Sequence, residues 1–215
     1  MEIAGKKLRV ELFSDAVIAI VITIAALEIP IPNSGDYTGF LESLLTFAIS
    51  FFIVAGYWND HRKLFEQIKK INEPFVIRNT CFLFSLVLIP FFTSWSMEAA
   101  DKQLPTLAYG LLLIAVNGTF SRLFKVGIPL AVEEESRQKQ LKQLYAARDR
   151  LYYGAIVSVM LIGWYVPSLA LVLFIGVPIV SYFLKTNVEE SFGRNGKRTR
   201  GRFDQNRKNQ RKTSH

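Results

Sequence analysis

The sequence predicts an all-α membrane protein of six transmembrane helices, and three observations predict it. Half of the 215 residues are hydrophobic, and mean hydropathy is +0.23 despite a very polar carboxyl-terminal stretch. The apolar residues fall in long blocks, not in the alternation of a half-buried strand or the single stripe of a soluble helix. Finally, 25 of the 26 Lys and Arg residues collect in alternate intervals between those blocks. A helix needs about 20 apolar residues to cross a bilayer. Six blocks approach that length: 8–29, 38–58, 75–95, 104–124, 151–166 and 168–184. The last two are short and cross only with little tilt or a thinned bilayer.

The charge pattern sets the expected topology. Bases precede the first block (Lys6, Lys7, Arg9), follow the second (Arg62 to Arg78), follow the fourth (Arg122 to Arg150) and fill the chain from Lys185 onward. Lys102 alone lies in the opposite set of loops. An even number of spans puts all four basic regions on one face, so the positive-inside rule predicts cytoplasmic amino and carboxyl termini in a multi-pass protein of the plasma membrane. Trp58, Tyr152, Tyr153 and Tyr182 then fall near cytoplasmic ends, and Trp95, Trp164 and Tyr165 near outer ends. The first apolar segment is too long for a signal-peptide core and is expected to remain in the mature chain.

The intervals carry their own expectations. Residues 61–74 are amphipathic and extend the second helix. Residues 126–150, with Glu133, Glu134 and Glu135, predict a cytoplasmic helix. The outer loops, 30–37, 98–103 and a turn at Pro167, are short. Pro90 and Pro178 lie inside the third and sixth blocks and are expected to kink them. The domain organisation is therefore a six-helix membrane domain over 1–190 and a basic tail over 191–215. That tail is too polar to bury a core, and its expected partner is anionic lipid headgroups, not nucleic acid.

Several chemistries are excluded. Cys81 is the single cysteine, so no intrachain disulfide or thiolate metal cluster forms. His61 and His215 are the two histidines and lie far apart in sequence. No nucleophile or metal constellation is evident, so neither an enzyme nor a resident cofactor is expected. No internal repeat supports the inverted-repeat architecture of many transporters.

The first helix is the unusual one. It carries Arg9-x-x-x-Phe13-Ser14-Asp15 at its entrance, and ionisable groups in membrane segments generally have a structural or functional reason. Beyond them, Ala16, Ile20, Thr23, Ile24, Leu27 and Ile31 fall along one helical stripe, with Glu28 beside its outer end. On composition alone, such a stripe is a packing face. Arg78 and Asn117, in or near the third and fourth spans, read as interhelical contacts or snorkelling groups.

The Arg9, Phe13, Ser14 and Asp15 motif, with Trp58 and His61 ending the second helix, resembles the signature of the endolysosomal potassium channel family (the TMEM175 type) and its bacterial relatives. The resemblance implies a homotetrameric potassium channel in the lipid bilayer, its pore lined by the first helix of each subunit. It makes Ile20 the narrow ring, Ile24 and Leu27 further layers, and Thr23 a hydroxyl that contributes to ion selection. The sequence holds no Thr-Val-Gly-Tyr-Gly stretch and predicts no re-entrant filter loop. Selection would then rest on constriction, dewetting and the cost of stripping water. K⁺ holds its water less tightly than Na⁺, so K⁺, Rb⁺ and Cs⁺ are expected to pass and Na⁺ weakly. Arg9, Phe13, Ser14, Asp15, Trp58, Asn59 and His61 are expected to form a polar clamp on the first helix. The alternative is a proton relay from Asp15 to His61 in a proton-coupled secondary transporter. Glu28 reads either as a cation-attracting ring at the outer mouth or as an ordinary solvated carboxylate.

Overall fold

The computed structural model describes residues 2–27, 29, 37–174 and 176, all within a compact unit, Met1–Gly176. The second unit, Val177–His215, lies outside the described residues, as do Glu28, Ile31, Pro178, the tail and most of the predicted sixth span. The described residues are helical and contain no strand. The helices are α1 (Glu2–Leu27), α2 (Thr38–Gln67), α3 (Glu73–Val87), α4 (Ile89–Glu98), α5 (Gln103–Ala131) and α6 (Glu135–Tyr165), and residues 167–174 are again helical.

Two elements differ from the sequence expectation. The third block, 75–95, is two helices. Its start is sharp: the Asn72 side chain accepts the Phe75 backbone N–H at 3.0 Å, and Pro74 sits in the first turn. It breaks at Leu88, two residues before Pro90. Pro90 has no N–H to give the carbonyl four residues back, but is well accommodated in the first turn of α4. By contrast, the predicted cytoplasmic helix and the predicted fifth span are one continuous helix, α6, of 31 residues. Its composition changes from charged to apolar at Leu151, but no Pro or Gly stands at that junction to stop the backbone.

Among the described residues four segments are long and apolar enough to cross a membrane: Gly5–Leu27, Thr38–Gln67, Glu73–Glu98 and Gln103–Ala131. They are packed very unequally. Half of the most apolar stretch of α5 is buried, against 11% for α1. The core lies where α2, α3 and α5 meet. There Phe82 sits 5.1 Å from Phe120 and 6.0 Å from Tyr57, and Phe65 meets Phe75 at 5.3 Å, centroid to centroid. Two glycines let α5 approach its neighbours. A Cβ at Gly127 would stand 2.9 Å from Leu64 Cδ1, and one at Gly110 would stand 2.8 Å from Met160 Cγ and 2.9 Å from Phe174 Cζ. Only one side of α1 joins this core, through Ser14, Ile18 and the half-buried Val10, Val17 and Ile22.

Candidate functional site

The entrance of α1 is tied to α2 and α3 by a chain of side-chain hydrogen bonds. Ser14 Oγ donates to the Val10 carbonyl at 2.8 Å, as a helical serine commonly does, and accepts from Asn79 Nδ2 at 2.8 Å. Asn79 Oδ1 in turn lies 2.8 Å from His61 Nε2. An amide oxygen only accepts, so His61 carries a proton on Nε2 and donates it. All three side chains are buried. The His61 ring is wedged 4.5 Å from Phe65 and 5.8 Å from Phe82. Apolar walls and saturated partners make this a rigid pin: every polar atom on the path from Ser14 to His61 Nε2 has a bond to lose.

A second tie lies outside the first. Trp58 Nε1–H donates to Asp15 Oδ1 at 2.9 Å, joining α2 to α1 at a more exposed level. Lys6 pairs with Glu73 at the same end of α1, an exposed contact worth little by itself. Arg62 bonds Asn59 Oδ1 at 3.1 Å, pairs with Glu66, and places its guanidinium 5.9 Å from the Trp58 ring centroid.

Of the seven residues expected in the clamp, the structure brings Ser14, Asp15, Trp58 and His61 into it. Asn59 turns to Arg62 on its own helix, and Arg9 and Phe13 stand exposed outside the network. Asp15 and His61 take different partners, Trp58 and Asn79. The residue that sequence reasoning missed is Asn79, the centre of the pin. Its signal was a carboxamide inside the apolar run from Phe75 to Val87, next to the more conspicuous Arg78. Arg78 itself donates to the Pro74 carbonyl of its own helix at 3.0 Å. Asn117 is buried, and its Nδ2 has no hydrogen-bond partner among the described residues.

A second buried polar group was also missed. Asp149 on α6 accepts from Ser121 Oγ on α5, with Lys125 Nζ 3.8 Å and Arg148 Nη2 3.9 Å away.

Beyond the pin, the other face of α1 has no neighbour among the described residues. Ile20, Thr23, Ile24 and Leu27 are all exposed. The phase is clear two residues apart: Ile18 is 3% exposed and Ile20 is 55% exposed. Thr23 Oγ1 donates its hydrogen to the Ile20 carbonyl at 2.9 Å, which leaves the oxygen lone pairs for anything beside the helix. An aliphatic face this long, interrupted by one hydroxyl, is an uncovered apolar surface.

Comparison with known proteins bears on the same helices. Residues 9–90 match the family described as endosomal/lysosomal potassium channel TMEM175. A relative from Chryseobacterium sp. (strain P1-3), named a potassium channel, is 30% identical over 192 residues, which cover 87% of this chain and 98% of the relative. The chain belongs to the TMEM175 potassium channel family. The matched segment begins at Arg9, contains every residue of the α1–α3–α2 pin, and ends at Pro90. Proteins named potassium channels from Chamaesiphon minutus (29% identical over 129 residues) and Streptomyces collinus (24% over 127) are also similar. This chain spans 64% and 62% of their lengths. The crystal structure of a lysosomal potassium-selective channel TMEM175 homolog from Chamaesiphon minutus has the same fold. The TM-score is 0.67 at 22% identity, over 85% of this chain and 99% of that one.

Proposed function

We propose that this TMEM175 family member is a potassium-selective channel in which α1 of four identical subunits lines a central pore. The observation that carries the reading is the bare aliphatic face of α1, on the helix that is least buried of the four membrane-crossing candidates. A single helix cannot enclose a pore, so symmetry must supply the others. Ile20, Ile24 and Leu27 then stack as hydrophobic rings that resist wetting, and Thr23 offers oxygens to an ion that has shed part of its water. K⁺ sheds that water more easily than Na⁺ and is favoured, with Rb⁺ and Cs⁺ following it. Ser14, Asn79 and His61 hold the register of α1 against α2 and α3, which fixes the height of each ring.

The same reading takes the chain as six spans with both termini cytoplasmic, the apolar half of α6 and the segment from 167 onward supplying the last two. Glu28 lies one residue beyond α1, where four copies would draw cations to the outer mouth. The transporter alternative has weaker support, because Asp15 and His61 are each committed to a different partner.

Purified protein in liposomes tests this. With a K⁺ gradient and equal pH on both sides, flux should run passively and reverse near the K⁺ equilibrium potential. Native mass measurement should give four chains. Flux that requires a proton gradient, or conduction by a monomer, overturns it.

A further inference from the structure

On the side of α1 that faces its own chain, a cleft of about 30 Å³ opens between α1, α2 and α4. That is room for roughly two water-sized occupants. Ser43, Thr46 and Ser50 line it from one face of α2, Ser94 and Glu98 line it from α4, and Ala25 backs it on α1. Ser50 is the most buried of these residues at 2% exposed, and its Oγ has no hydrogen-bond partner among the described residues. Glu98 is exposed and stands at the open end.

Two of the lining hydroxyls act there as acceptors. Thr46 gives its hydroxyl hydrogen to the Glu42 carbonyl at 2.9 Å, and Ser94 gives its own to Glu98 Oε1 at 2.8 Å. Both hydroxyl oxygens therefore present lone pairs only. Pro90, also in the wall, has no N–H. Among the described residues no Lys or Arg lines the cleft, and the one charged group there is the Glu98 carboxylate. Neutral oxygens with one negative charge suit a hard cation of charge one. A divalent ion takes more carboxylates, and a soft transition metal takes imidazole or thiolate, neither of which is present there.

We propose that this cleft is a side site for a monovalent alkali cation, held by Ser50, Thr46, Ser94 and Glu98 and separate from the conduction path. Its occupant lies behind the exposed stripe of α1, not in front of it, and braces the outer half of α1 against α2 and α4. The site does not depend on the channel reading, because it lies within one chain.

The test is crystallography of the full-length protein with Tl⁺, which is K⁺-sized and scatters anomalously, in place of K⁺. An anomalous peak is expected in the cleft of every subunit, and Glu98→Gln with Ser50→Ala should remove it while peaks on the symmetry axis remain. Glu98 is exposed, so Glu98→Gln alone leaves the fold intact. Should the double variant not fold, a several-fold loss of cleft occupancy in the single variant supports the site, and unchanged occupancy overturns it. Ordered water without an anomalous peak also overturns it, as does a peak unchanged in the double variant. Absence of peaks on the symmetry axis with the cleft peak retained counts against the proposed pore instead.

Discussion

α1 and α5 are both long helices apolar enough to cross a membrane, yet the chain treats them oppositely. Half of the most apolar stretch of α5 is buried, with Tyr109, Leu113, Val116, Phe120 and Leu123 in the core and glycines where its neighbours press closest. α1 rests on its neighbours along one narrow strip and leaves Ile20, Ile24 and Leu27 uncovered. Hydrophobicity therefore does not distinguish a helix that completes a fold from one that awaits a partner. Close approach does. α5 carries small residues at its contacts, as helices packed within membranes tend to, whereas the outward face of α1 is built of bulky aliphatic side chains.

The comparison breaks first at its polar joint. Asn79→Leu removes both the donor to Ser14 and the acceptor from His61, and an orphaned buried group costs about 1–3 kcal/mol. The melting temperature in detergent should fall by roughly 2–12 °C, and tetramer yield with it. A melting temperature within error of wild type would mean that α1 is held by apolar contacts alone. Gly110→Ala probes the packed side of the comparison. Its methyl group meets Met160 and Phe174, an overpacking cost of about 1–3 kcal/mol, whereas Gly154→Ala enters open space and should be neutral or slightly stabilising by helix propensity. Equal melting of the two variants would show that α5 is not tightly seated. The pair Ile18→Asn and Ile20→Asn then separates the two faces of α1. The first buries an unpaired amide and should destabilise by about 1–3 kcal/mol. The second should leave melting nearly unchanged while raising single-channel conductance and weakening discrimination of K⁺ over Na⁺ in bilayer recordings. Thr23→Ala is expected to do least, lowering discrimination with little change in conductance. Reversed phenotypes for Ile18 and Ile20 would put the pore on the other face.

Much of this architecture was legible because membrane helices announce themselves by composition. The motif at the entrance of α1 was legible too, and so were Trp58 and His61, since polar and aromatic groups stand out in an apolar run. Asn79 did not stand out, because nothing local distinguishes a carboxamide that bridges two helices from one that merely tolerates its position. Its role exists only once α1 and α2 are placed on either side of α3. The break at Leu88 was foreseen as a kink at Pro90 but not as two helices, since the sequence alone does not say whether neighbours will hold a proline-weakened turn together. The continuity of α6 was hidden for the opposite reason. A boundary was read at the change from charged to apolar composition, and composition reports the surroundings of a helix, not where its backbone stops.

That continuity has a mechanical consequence. At 1.5 Å per residue, the 31 residues of α6 make a shaft of about 46 Å. Asp149 lies near its midpoint, latched to Ser121, and one turn away Tyr145 stacks on Phe124 at 3.6 Å. The apolar half of the shaft is held to α5 as well, by Met160 against Gly110 and by Gln103 Nε2 on the Trp164 carbonyl at 3.4 Å. A rod clamped along one half transmits force as a strut: a push on its charged end is delivered to α5, with the Ser121–Asp149 contact as the first point of load.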